Sequence, residues 1–136
     1  MNTTYFLNQV MGNLFHTKEV PALPETYYIG LSTSAPDSTG VCTGEPSTSG
    51  TGYARVALDS LSEPNAGVIK NTAPIIFNES ITNWGTVTHY VVYDSATGGN
   101  LLFFGALSIS RSVEQNTIIT IKAGELSIAL EPPVAS

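Results

Sequence analysis

Eleven acidic side chains, two histidines and one cysteine are the groups with which this 136-residue chain could do chemistry. His16 and His89 stand far apart, and neither an HxH nor an HExxH spacing sets two imidazoles on one metal. Cys42 is the single cysteine, so an intramolecular disulfide and a thiolate cluster are both excluded. A nucleophilic thiol needs a base beside it, and residues 39–52 offer only Glu45. The expectation for Cys42 is a solvent-facing thiol in a reducing compartment. Asp37, Glu45, Asp59, Glu63, Glu79, Asp94, Glu114, Glu125 and Glu131 fall mostly at turns and strand ends, and no DxDxDG calcium loop occurs. Sequence leaves open that two carboxylates converge as a glycosidase-type pair, but turn-forming and solubilising roles explain them all. There is no Walker loop and no GxSxG elbow, and Gly50-Thr51-Gly52 lacks the strand–helix setting of a phosphate loop. The reading is a chain with no catalytic residue, no metal ligand and no cofactor site.

Composition removes further classes. Five Lys and Arg face eleven Asp and Glu, for a net charge of −6. Counterion release cannot drive nucleic-acid binding with so few cations and no basic stripe. The same acidity disfavours an anionic membrane surface. The longest dense apolar run, residues 101–107, is far short of the ~20 residues that cross a bilayer. No signal-peptide pattern is evident at the start of the chain, so synthesis in a cytoplasm is expected. Charged residues make up 12% of the chain, about half the ~25% usual in soluble domains. Ser, Thr and Asn must then supply the surface polarity, which suits standing contacts with other subunits.

The aromatic residues Tyr27, Tyr28, Tyr53, Trp84, Tyr90 and Tyr93 could form a sugar platform or an interface hot spot. Strand packing explains them more simply. Trp84, in the turn before a strand, is the best single candidate for contact. Tyr53, Arg55, Phe6 and Val10 complete the set of expected interface or receptor-contact residues.

The elements that must position these groups are legible from periodicity. Phe6, Leu7, Val10, Met11, Leu14 and Phe15 recur at helical spacing, and Asn2, Thr3 or Thr4 can cap the start. Lys18, Pro21 and Pro24 close the helix, and the His16 imidazole is placed to meet its last carbonyls. Gly12 costs such a helix about 1 kcal/mol relative to Ala, so it needs a packing partner. Beyond residue 25 the period changes to two. Strands are expected at 26–33, 53–58, 68–77, 86–93, 100–107, 117–122 and 125–130, the last two as a hairpin. Residues 35–52 form a long Gly/Ser/Thr loop, and DSATGG at 94–99 forms a tight turn. His89 reads as a half-buried strand residue. The expected fold is a mostly β protein: one antiparallel β-sandwich or barrel of about seven strands after an N-terminal amphipathic helix. Its parts are a helix in 1–20, docked on the β domain or on a neighbour, a β domain in 25–131, and a tail in 132–136. No heptad or repeat exists from which to build a long shaft.

Several segments occur in a telling order. YIGLSTSAP at 28–36 leads to Glu45-Pro46 and then to Gly52-Tyr53-Ala54-Arg55-Val56. Ile76-Phe77 precedes WGTVTH at 84–89 and YDSATGGNLL at 93–102, followed by Phe104-Gly105-Ala106-Leu107 and AGELSIAL at 123–130. This order resembles a family of small tailed-bacteriophage virion structural proteins commonly labelled tail-fibre protein. The resemblance runs from the helix to about Leu130. It implies an N-terminal helix ahead of a β domain, a place in the virion, and no catalytic residues. The expected function is a small tail-associated module (fibre, tip or collar) acting by symmetric assembly, as a trimer with other virion proteins around it. The alternatives are a head decoration or cement protein and a host-surface glycan-binding module.

Overall fold

The structure, a computed structural model, describes residues 2–16, 25–37 and 39–129. Helix α1 spans Thr4–Phe15. Thr3 is its N-cap, with Oγ1 accepting from the Phe6 N–H and thereby satisfying one orphan donor of the first turn. His16 ends it through its backbone: at φ 55 its N–H donates to the Gly12 carbonyl. The imidazole cap expected there is replaced by this left-handed turn. Lys18, Pro21 and Pro24 lie outside the described residues, as do Leu130, Glu131 and the 132–136 tail.

Strands follow in the order β1 (Tyr27–Ser32), β2 (Val56–Leu58), β3 (Val68–Lys70), β4 (Ile75–Ile76), β5 (Gly85–Tyr93), β6 (Leu101–Val113), β7 (Thr120–Ile121) and β8 (Ser127–Ala129). All pairings are antiparallel, in a four-stranded sheet β2-β1-β5-β6 and two ribbons, β3-β8 and β4-β7. The fold is mostly β, as periodicity requires, and its described strands fall into three separate hydrogen-bonded groups. Alternation on β1 and β5 turns Ile29, Leu31, Tyr90 and Val92 onto one sheet face, and the register break between Val87 and His89 brings Val87 to the same core. Ile75, Phe77, Ile119, Ile121 and Leu126 from the ribbon segments pack across that face to close the main core. Val91, Tyr93, Leu101 and Phe104 form a second, smaller cluster.

Two strand expectations change. The run 68–77 is not one strand, because Pro74 has no ladder donor and the chain breaks at 71–74 into β3 and β4. The run 117–130 is not a two-stranded hairpin either, since β7 pairs with β4 and β8 with β3. Asn71 explains both. Buried at the break, its amide donates to the carbonyls of Ala73 (2.9 Å) and Lys122 (3.0 Å). Its Oδ1 accepts from the N–H groups of Gly124 and Leu126, each at 3.0 Å. One side chain thus replaces the missing ladder and steers β7 and β8 to different partners.

Strand β6 runs six residues beyond its expected end at Leu107. Val87 faces Arg111 while His89 faces Ala106, so residues 107–110 bulge from the ladder. At the other end the β5–β6 turn is held by Asp94, whose carboxylate accepts from the Asn100 backbone N–H (2.7 Å) and side-chain amide (3.1 Å). Gly98 and Gly99 supply the positive φ values, 60 and 76, that this turn needs.

Helix α1 is stitched to β6. The Thr3 N–H donates to the Leu102 carbonyl (2.8 Å), the Thr3 hydroxyl to the Leu101 carbonyl (2.7 Å), and Asn2 bridges Phe103. Phe6 packs its ring 4.7 Å from that of Phe103. The buried helix residues are Phe6, Gln9 and Gly12, spaced by three. Leu7 and Val10 are half-buried, and Met11, Leu14 and Phe15 are 52%, 63% and 60% exposed. The helix therefore docks mainly on its polar and small-residue side and turns the apolar stripe outward.

Candidate functional site

The densest polar constellation surrounds Arg55, just ahead of β2. Its Nε and Nη2 donate to the two Glu45 carboxylate oxygens, both at 2.8 Å, in a bidentate pair. Nη1 donates to the carbonyls of Ser95 and Gly98, again at 2.8 Å. The guanidinium lies 3.5 Å from the Tyr93 ring centroid, within cation–π range. The Tyr53 hydroxyl donates to Glu45 Oε2 (2.6 Å) and accepts from the Leu31 backbone N–H (3.0 Å). Gly30 makes that approach possible, because a Cβ there would collide with the Tyr53 hydroxyl.

Burial, and then the Glu45 carboxylate, push the Tyr53 hydroxyl far above the ordinary tyrosine range. Burial also raises Tyr93, with Cys42 and Glu45 adding to it and Arg55 opposing. Burial alone would lower the Arg55 pKa, but the hydrogen bonds and charge of Glu45 outweigh it and the net shift is upward. Side-chain exposure of the pair is 7% for Arg55 and 17% for Glu45. Both residues are thus committed to each other, and removing either would leave a largely buried charge, at a cost of about 3–5 kcal/mol. This is a structural clasp: it pins the long loop to the sheet and the β5–β6 turn to both.

The same geometry assigns places to the other expected contact residues. Trp84 is 6% exposed, donates its indole N–H to the Thr51 carbonyl (2.9 Å), and meets the Tyr53 ring edge-on at 5.3 Å. It closes the far end of the 35–52 loop and leaves no ring face for a sugar. Tyr53 and Phe6, at 2% and 6% exposure, are core residues as well. The structure thus gathers Trp84, Tyr53 and Arg55 around one loop, and places Phe6 and Val10 on α1 away from that cluster. Sequence reasoning passed over Glu45 as the partner of Arg55; the Glu45-Pro46 pair in an otherwise uncharged stretch was the available signal. It also placed Cys42 in solvent, whereas the thiol is half-buried, 3.5 Å from the Ser32 hydroxyl and packed on the Val91/Tyr93/Leu101/Phe104 cluster.

Two remaining features bear on chemistry. His89 is half-buried within β5, with Nδ1 2.8 Å from the Thr88 hydroxyl, and burial lowers its pKa. Among the described residues, no group of three His, Cys, Asp or Glu side chains could hold a metal ion. An apolar cleft of about 240 Å³ lies between the β6 bulge and the β7–β8 segment, lined by Tyr90, Leu107, Ile109, Ile119, Ile121 and Leu126. Its two charged lining residues are each tied to backbone near β7: Arg111 donates to the Thr120 carbonyl, and Glu125 accepts from the Lys122 backbone N–H. Polar groups do not converge there as a substrate site requires.

A family model described as Podophage GP4 fiber I protein gp80 matches residues 2–129, which spans α1 and every described strand. The chain belongs to this family. Membership makes it a phage fibre protein, a structural component of the virion that is associated with the tail and with other virion proteins. No curated protein matches the chain. The ordered segments noted in the sequence therefore acquire physical roles within a fibre protein. Gly52-Tyr53-Ala54-Arg55 forms the clasp, WGTVTH closes the loop and opens β5, and YDSATGGNLL is the turn that Arg55 ties down.

Proposed function

We propose that this fibre protein is a short tail module, at a fibre base, tip or collar, made in the host cytoplasm and working by symmetric self-assembly. Three copies meet around an axis through α1, and the rigid β domain is displayed to neighbouring virion proteins. The observation that supports this reading is the reversed docking of the helix. Met11, Leu14 and Phe15 point outward, with Leu7 and Val10 flanking, and no Asp, Glu, Lys or Arg lies between Asn2 and His16. A charge-free face is where copies of a chain with net charge −6 can meet without repulsion. Val10 keeps its expected contact role here. Phe6 instead fixes the angle at which the face is presented.

Light scattering of the purified chain at micromolar concentration tests the assembly. A trimer that becomes a monomer in Leu14→Lys supports it, and a monomeric wild-type chain overturns it. Mass spectrometry of separated heads and tails tests the location, and a head-only signal overturns the tail assignment.

A further inference from the structure

The sheet has a second apolar face, built from Val91, Tyr93, Leu101 and Phe104, and a polar strap crosses it at residues 39–47. The strap contains no strand. Its ties to the sheet are few: the Thr33 N–H and hydroxyl donate to the Gly44 carbonyl (3.0 and 3.2 Å), Cys42 reaches Ser32, and Glu45 joins Arg55 and Tyr53. The β5–β6 turn at 94–100 is held by its own Asp94–Asn100 bonds and by Arg55 through Ser95 and Gly98. Among the described residues, no hydrogen bond runs directly from the strap to the turn. Cys42 meets Tyr93 at the foot of the turn, and the Arg55 guanidinium is the hydrogen-bonded link from the strap to the turn itself.

We propose that the strap and the β5–β6 turn are one hinged cover over the second sheet face, opened and closed as a unit through Arg55. The coupling is electrostatic. If the strap lifted alone, Glu45 would leave and Arg55 would remain largely buried without its counter-ion, the costly half of a broken pair. If Arg55 leaves with Glu45, the pair stays intact, but the Ser95 and Gly98 carbonyls and the Tyr93 ring lose their cation. The turn is then untied in the same event. Segments with few buried contacts and irregular backbone open at the low-stability end of a fold, and both segments are of that kind. The Arg55 linkage makes their two openings one.

Cys42 is a native reporter, since its thiol lies under the strap against the cluster. The experiment measures Cys42 labelling by dithionitrobenzoate in the full chain, in Glu45→Gln, in Asp94→Ala and in the double variant. Asp94→Ala loosens the turn and touches no strap residue. Asp94→Ala is expected to speed labelling about tenfold, the effect of losing one charge-assisted hydrogen bond, Glu45→Gln by about a hundredfold or more because Arg55 loses its counter-ion, and the double variant by about the product of the two, since both losses act on one opening. Wild-type labelling in Asp94→Ala alongside fast labelling in Glu45→Gln overturns the coupling. Hydrogen exchange on the wild-type chain decides independently of any variant's folding. Equal opening constants for 39–47 and 94–100 support a single cover, and a difference above tenfold overturns it.

Discussion

Asn71→Ala tests whether one amide really substitutes for a stretch of β ladder. The side chain is 3% exposed and makes four hydrogen bonds, two donated to the carbonyls of Ala73 and Lys122 and two accepted from Gly124 and Leu126. A neutral hydrogen bond contributes about 0.5–1.5 kcal/mol net, and a buried group left unpaired costs about 1–3 kcal/mol. Gly124 is exposed, and its N–H also donates to the Asn71 backbone carbonyl, so that donor stays satisfied. The Leu126 N–H sits beside a buried side chain and loses its partner. Summing the two carbonyl bonds, the weakened Gly124 bond and the stranded Leu126 donor gives a loss of about 3–5 kcal/mol. Against a typical domain stability of about 5–15 kcal/mol, that is a large share. Urea unfolding followed by Trp84 fluorescence measures it, with the slope of the transition reporting whether two-state behaviour holds. A loss below about 1 kcal/mol would mean that water satisfies these groups and that the β3–β4 break does not depend on Asn71.

Other perturbations probe separate links in the argument. In Gly105→Ala, the new Cβ would lie 2.6 Å from Tyr90 Cε2, so the ring must shift; the expected loss is about 1–3 kcal/mol by thermal melting, and an unchanged melt would show that Tyr90 moves freely. Phe6→Ala should cost about 3–5 kcal/mol and release α1 from β6. Leu14→Ala, on the outward face, should stay within about 0.5 kcal/mol in a dissociated chain. Equal effects for the two would contradict the helix orientation. Alkaline pH reports on the clasp. Tyr53 and Tyr93 have folded pKa values raised above their unfolded value of about 10. Stability is therefore fully present below about pH 10, where both states hold the phenolic protons, and falls as pH rises further because the unfolded chain loses them first. The tyrosinate absorbance of these two residues should appear only with unfolding; its appearance in the native chain would show the clasp to be open.

Much of this architecture is written in local pattern. Period-two alternation placed β1 and β5 almost to the residue, and the Asp94 and Gly98-Gly99 chemistry marked the turn between β5 and β6. What pattern does not contain is partner choice. The segments around β7 and β8 alternate as a hairpin would, yet each ladder goes to a strand some fifty residues away, because a buried amide at Asn71 binds the connection between them. The end of β6 escaped for a different reason. SISRSV is too polar to resemble a strand, and only its register with Gly85 and Thr86 makes it one. The clasp was half legible: Tyr53 and Arg55 stood out, but a carboxylate ten residues earlier in a Ser/Thr/Gly loop carries no local sign of its partner.

Helix α1 shows how an element legible in the sequence can leave its orientation open. An amphipathic helix ordinarily turns its apolar stripe to its own core, and the spacing of Leu7, Val10, Met11, Leu14 and Phe15 invites that reading. Here the residues before the helix decide. Thr3 bonds β6 through both its N–H and its hydroxyl, which fixes where the helix starts, and the buried residues Phe6, Gln9 and Gly12 lie on the side away from the exposed Met11, Leu14 and Phe15. The Gly12 that costs helix propensity thus sits on the buried side of the helix, as Gln9 does. Had the stripe served the chain's own core, the helix would be a stabilising flap. Facing outward, it gathers Met11, Leu14 and Phe15 into one exposed apolar stripe on an acidic fibre protein with few charges.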